Sequence, residues 1–176
     1  MHRAAVESKE RTGRNMNYQR IYSPNDIRSF TTAAPFRLGK NLWSLRKGLS
    51  AENAVFSLDI TPQISTSNNH GTKPTSFDVV YSVSGANLTS APTDSLSVNS
   101  FANAANPTVT ALTLTGGPYP TAVNSTGQVY VLRRTISGAD YINTGVSAMN
   151  LELTFPCDAN TILDILAVNI NFTWQN

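Results

Sequence analysis

Ten of the thirteen Lys and Arg residues lie before Gly48: Arg3, Lys9, Arg11, Arg14, Arg20, Arg28, Arg37, Lys40, Arg46 and Lys47. Only Glu7, Glu10 and Asp26 oppose them there, so the first 47 residues carry a net charge of +7. The rest of the 176-residue chain sets Lys73, Arg133 and Arg134 against eight acids, a net of −5. Cations strung along a polar segment displace the counterions of a polyanion, most often a nucleic acid, and bind it without reading its sequence. These ten side chains are the candidate nucleic-acid contacts. A tail that is basic only for solubility is the competing reading. Membrane binding is disfavoured, because residues 1 to 20 lack the Leu, Phe or Trp set that would enter a bilayer.

Other chemistry is sparse. A single cysteine, Cys157, cannot form an intramolecular disulfide or a multi-cysteine metal site and reads as a small buried hydrophobe. His2 and His70 lie in polar surroundings, and no local signature joins His70 to Cys157 as a catalytic dyad. There is no paired-acid motif, glycine-rich phosphate loop or metal-ligand cluster, so an enzyme is not expected. Tyr119, Tyr130, Tyr141 and Trp174 could stack on sugars, which keeps a lectin-like β-sandwich as the alternative function; core or interface aromatics are the preferred reading. Sequons at Asn87, Asn124 and Asn171 are expected by chance in a chain this rich in Asn, Ser and Thr.

The elements that must position these residues follow from composition. Ser, Thr and Asn supply 56 of the 176 residues and charged residues only 14%, which suits strands and turns and leaves too few long charged side chains for solvated helices. The length suits one domain. No apolar run is long enough to span a membrane, and MHRAAVESKERTGRNMNYQR has no apolar core, so a secretory signal is not expected. Residues 1 to 20 read as a basic arm, disordered until bound. Residues 21 to 50 read as a connector in which Ile21, Phe36, Leu42 and Trp43 alternate with cations, and Trp43 reads as an anchor to the body in preference to a base-stacking ring.

From residue 51 the period is two. Strands are expected over 54–60, 77–83, 95–101, 108–115, 128–135, 146–155 and 162–174, with at most a brief one at Tyr141 and Ile142. The segment GGPYPTAVNSTG breaks the chain between two of them. The expected core is Phe56, Leu58, Val79, Tyr81, Leu112, Val131, Leu151, Leu153, Val168 and Ile170. In the last strand, Ile162, Leu166, Val168, Ile170, Phe172 and Trp174 are expected to keep one face. NTILDILAVNI has a helical rival, set aside because its β-branched residues and the alternating NINFTW favour a strand. About eight strands without helical alternation give an all-β fold, an antiparallel sandwich or barrel; an eight-stranded antiparallel jelly-roll sandwich fits, and an immunoglobulin-like sandwich fits the count too but leaves the charged arm unexplained.

A basic arm, a semi-apolar connector and an eight-stranded body rich in Ser, Thr and Asn together resemble the coat proteins of small icosahedral RNA viruses, and at this length those of satellite viruses. The resemblance implies a jelly roll over 51–176 and a closed shell of identical copies, sixty in the simplest case. It also implies arms lining an RNA-filled interior in a virion assembled in the host cytoplasm. RNA-binding residues would be the ten cations above, and RNA would be packaged without sequence specificity. No cofactor is implied. Inter-subunit Ca²⁺ on Asp59, Asp78, Asp94, Asp140 or Asp158 is a lesser expectation, with solvated carboxylates or caps preferred.

Overall fold

The computed structural model describes residues 16–22, 26–29, 36–39, 42–46, 51–61, 72–101, 106–116, 126–138 and 147–174. All regular elements among them, apart from a single 3₁₀ residue at Asp26, are strands. They are β1 (Met16–Tyr22), β2 (Ile27–Ser29), β3 (Phe36–Gly39), β4 (Leu42–Arg46), β5 (Glu52–Asp59) and β6 (Thr72–Ser84). The second half adds β7 (Thr93–Ser100), β8 (Thr108–Ala111), β9 (Thr113–Thr115), β10 (Thr126–Ser137), β11 (Ser147–Cys157) and β12 (Ile162–Trp174).

All pairings between these strands are antiparallel and form two sheets. One runs β3-β4-β12-β6-β10-β9, with β1 also paired to β12; the other runs β2-β5-β11-β7-β8. The pairs β4·β12, β5·β11, β6·β10 and β7·β8 are nested one inside the next along the chain. Such nesting is one long antiparallel ribbon folded over on itself so that successive strands fall in opposite sheets, which makes the fold a jelly-roll sandwich. The connections close both sides. β8 in one sheet passes through Leu112, whose N–H donates to the Leu96 carbonyl at 2.8 Å, straight into β9 in the other. On the opposite side β1 belongs to one sheet and β2, five residues on, to the other.

Alternation places the core where the two sheets face each other. Ala54, Phe56, Leu58, Leu151, Leu153 and Phe155 come from one sheet, and Val79, Tyr81, Val83, Leu163, Ile165, Val168 and Ile170 from the other. An aromatic chain crosses the gap. Tyr130 stacks on Tyr81 at 5.6 Å, Tyr81 meets Phe155 edge-on at 5.0 Å, and Phe155 meets Phe56 edge-on at 5.9 Å. Each contact adds about 0.5–1.5 kcal/mol to the area it buries.

Several expectations are corrected. The body supplies eight described strands, β5 to β12, as expected; the four strands that the basic N-terminal quarter adds were not expected. The arm expected to lack order through residue 20 is a strand from Met16. Val131 is 53% exposed, and its neighbour Leu132 is buried in its place. Both faces of that strand carried apolar residues, and the alternation alone did not choose between them. Leu112 is half-buried at the crossing between sheets. In β12 the buried set is Leu163 and Ile165, then Val168, Ile170 and Phe172. Leu166 is an extra residue between the partners Ile165↔Tyr81 and Ala167↔Val80, and this bulge shifts the parity halfway along the strand. A second bulge at Thr75 does the same to β6, and a third, at the positive-φ Gly127, to the start of β10. The brief strand expected at Tyr141 and Ile142 lies outside the described residues.

Candidate nucleic-acid interface

The described residues of the basic segment include β1 to β4, and all four strands sit at the same side of the sandwich, the side closed by the β1-to-β2 crossing. Register fixes the cations within it: Arg20 opposite Ile170, Arg28 opposite Ser57, Arg37 opposite Ser44, and Arg46 opposite Ile162. The far side, β8 and β9, has the sequence TVTALTLT and no charge at all. Arg3, Lys9, Arg11, Arg14, Lys40 and Lys47 lie outside the described residues.

Within β1, Tyr18, Arg20 and Tyr22 share one face and Asn17, Gln19 and Ile21 the other, exposed one. Tyr22 is buried, and burial pushes its hydroxyl up to about 12 against the opposing pull of Arg20. The Arg20 guanidinium lies 4.6 Å from the centroid of the Tyr22 ring, a cation–π distance. Tyr18 stacks on Phe172 of β12 at 5.1 Å. Arg20 is thus held in the strand by an aromatic partner, where a place on a flexible tail was expected.

The outer face of β1 and β12 carries an open groove of about 580 Å³ whose lining includes Asn17, Gln19, Thr75, Asn171 and Thr173. The rings of Tyr18 and Phe172 complete the lining, amides and hydroxyls supply its polar part, and no carboxylate, lysine or arginine is among these residues. Three hydrogen bonds fix the walls. Thr173 Oγ1 donates to Asn17 Oδ1 at 2.9 Å, Thr75 Oγ1 to the Asn171 carbonyl at 3.1 Å, and Asn171 Nδ2 to Ser76 Oγ at 2.9 Å. Lys73 is the register partner of Thr173 at its border.

The arginines of the body are matched locally. Arg133 makes a two-pronged bond to Asp78 at 2.8 and 2.9 Å on the outer face, which raises its pKa, and Arg134 reaches Asp94 at 2.8 Å. Asp59 accepts from the N–H and hydroxyl of Thr61, and Asp158 caps the turn through Asn160 N–H. Four of the five carboxylates weighed for Ca²⁺ are therefore engaged within the chain; Asp140 lies outside the described residues. Among those residues no cluster of three acids, His or Cys is placed to hold a metal.

No protein-family model and no curated protein matches the sequence. Among solved structures the chain is similar to the low-affinity xylan-binding module CBM86 of Roseburia intestinalis, with a TM-score of 0.40, 10% identity and coverage of 90% of this chain and 96% of that one. It is similar also to a family 29 carbohydrate-binding module of Piromyces equi, at TM-score 0.35 and 10% identity over 91% of each chain. For basic winged bean lectin the TM-score is 0.35 at 10% identity, covering 90% of this chain and 98% of the lectin.

Sequence reasoning located the cations but not the groove. Asn17 and Thr173 are 156 positions apart, and only the β1·β12 pairing makes them neighbours.

Proposed function

We propose that the chain is a self-assembling coat protein that packages RNA, with the basic N-terminal segment as the RNA-facing element and no catalytic step. The observation that carries this reading is the one-sided placement of β1 to β4. Among the described residues, the strands that carry Arg20, Arg28, Arg37 and Arg46 lie at one side of the sandwich, and the uncharged Thr-rich β8 and β9 lie at the other. A lone monomer gains nothing from such polarity. In a closed shell it gives every copy a cationic inside, and sixty arms of +7 would bring about 420 positive charges to an enclosed RNA. A body with few charges and many Ser, Thr and Asn loses little when neighbours desolvate it. The partners are then further copies of this chain and viral RNA, in a virion assembled in host cytoplasm.

The full chain mixed with RNA at moderate salt should sediment as a large closed particle, show uniform shells by negative stain, and yield nuclease-protected RNA. A monomer or dimer under those conditions refutes the reading. The competing function, a carbohydrate-binding sandwich, draws its support from the uncharged amide lining of the groove. Oligosaccharide binding by a monomer indifferent to RNA would establish it.

A further inference from the structure

We infer that the groove on the outer face of β1 and β12 holds unpaired bases of the RNA led to it by the arm, and that Asn17 and Gln19 contact base edges there. The inference rests on the RNA reading above and adds a base preference that the cations alone cannot give.

The groove's volume, about 580 Å³, falls within the roughly 300–1,000 Å³ of small-ligand sites, and its lining is uncharged. Such a lining does not hold phosphates. It suits a ligand whose hydrogen-bonding groups are neutral and paired donor beside acceptor, as on a base edge. A side-chain amide presents that pair, and its best match is adenine, whose N6 donor is flanked by an acceptor on both its Watson–Crick and Hoogsteen edges. Gln19 is exposed on this face. The amide of Asn17 is oriented in advance, because its oxygen accepts the Thr173 hydroxyl and its nitrogen keeps both N–H groups for a ligand. Position decides between RNA and a neutral glycan as occupant. Arg14 precedes Asn17 by three residues in the sequence. Lys73 stands at the groove's border. A phosphate chain bound by these cations would bring its bases to the groove.

The test uses the full chain and twelve-nucleotide oligo(A) and oligo(U), with binding followed by fluorescence anisotropy at several salt concentrations. The wild type should prefer oligo(A) by about fivefold, the low end for one bidentate base contact. The Asn17→Ala/Gln19→Ala variant alters two exposed side chains; it should lose that preference while the slope of log K against log salt stays the same. Arg11→Gln/Arg14→Gln should do the reverse, lowering affinity and slope for both oligomers and keeping their ratio. A wild type without preference, or a variant that retains it, overturns the groove assignment while leaving arm-driven binding intact. Binding of a neutral oligosaccharide that Asn17→Ala/Gln19→Ala abolishes also overturns it and assigns the groove to a glycan. Insensitivity of RNA affinity to Arg11→Gln/Arg14→Gln would count against the RNA reading itself.

Discussion

Arg134 of β10 and Asp94 of β7 form an ion pair between the two sheets, with Nε 2.8 Å from Oδ2 and only 17% and 4% of the respective side chains exposed. Each follows the inward parity of its strand, beside Leu132 and Ile136 on one and Leu96 on the other, so the pair sits at the margin of the core. Removing one partner leaves the other charge poorly solvated. Arg134→Met or Asp94→Leu alone should cost about 2–4 kcal/mol in chemical denaturation, and the double variant should recover most of that loss.

Alkaline stability follows from the buried phenols. Burial raises the hydroxyls of Tyr22 and Tyr81 from 10.0 to about 12, the latter helped by neighbouring Tyr130. Below pH 10 both groups are protonated whether the chain is folded or not, and their contribution is complete. Between pH 10 and 12 the unfolded chain releases protons that the folded one retains, so stability falls as pH rises through that window. Phenolate absorbance should show these two rings titrating late, together with the loss of the β-sheet circular dichroism signal; early titration of all tyrosines in a folded protein would contradict their burial.

Two glycines separate strain from collision. Gly127 and Gly85 both have φ of +78°, but a Cβ on Gly127 meets nothing among the described residues, whereas one on Gly85 runs into the Asn160 carbonyl oxygen. Gly127→Ala should cost about 1–2 kcal/mol, the backbone term alone. Gly85→Ala should cost more than that, because the backbone of the turn before β12 must move. Thermal denaturation of the two variants ranks them.

The register of β10 is open to a direct check. Val131→Ser should change stability by no more than about 0.5 kcal/mol, and Leu132→Ala should cost about 2–5 kcal/mol. The opposite ranking in urea would place Val131 in the core.

What the sequence discloses here is set by the reach of a period-two signal. Ala54 to Ile60 and Met149 to Phe155 alternate without interruption, and their inner faces are read correctly. One additional residue reverses the rule, and nothing in LAV or PTS announces that Leu166 and Thr75 are bulged. MNYQRIY hides a strand for a different reason: its inner face reads Tyr, Arg, Tyr, and the middle residue looks like part of a charged tail until the Tyr22 ring is seen beneath it. The cations of the interface were legible as charge, a sum over the chain. The groove depends on contacts between residues from opposite ends of it.

The nesting of strand pairs also sets a timetable for synthesis. The innermost pair, β7·β8, has both members early, while the outermost strands, β4 and β1, find their partner only when β12 emerges. Some 140 residues separate the end of β1 from the start of β12, which at about 5–20 residues per second is on the order of ten seconds of translation. Throughout that interval β1, with Arg20, and the β12-facing edge of β4, with Arg46, stand without the strand that will cover them, and every polyanion nearby competes for these cations before the sandwich does.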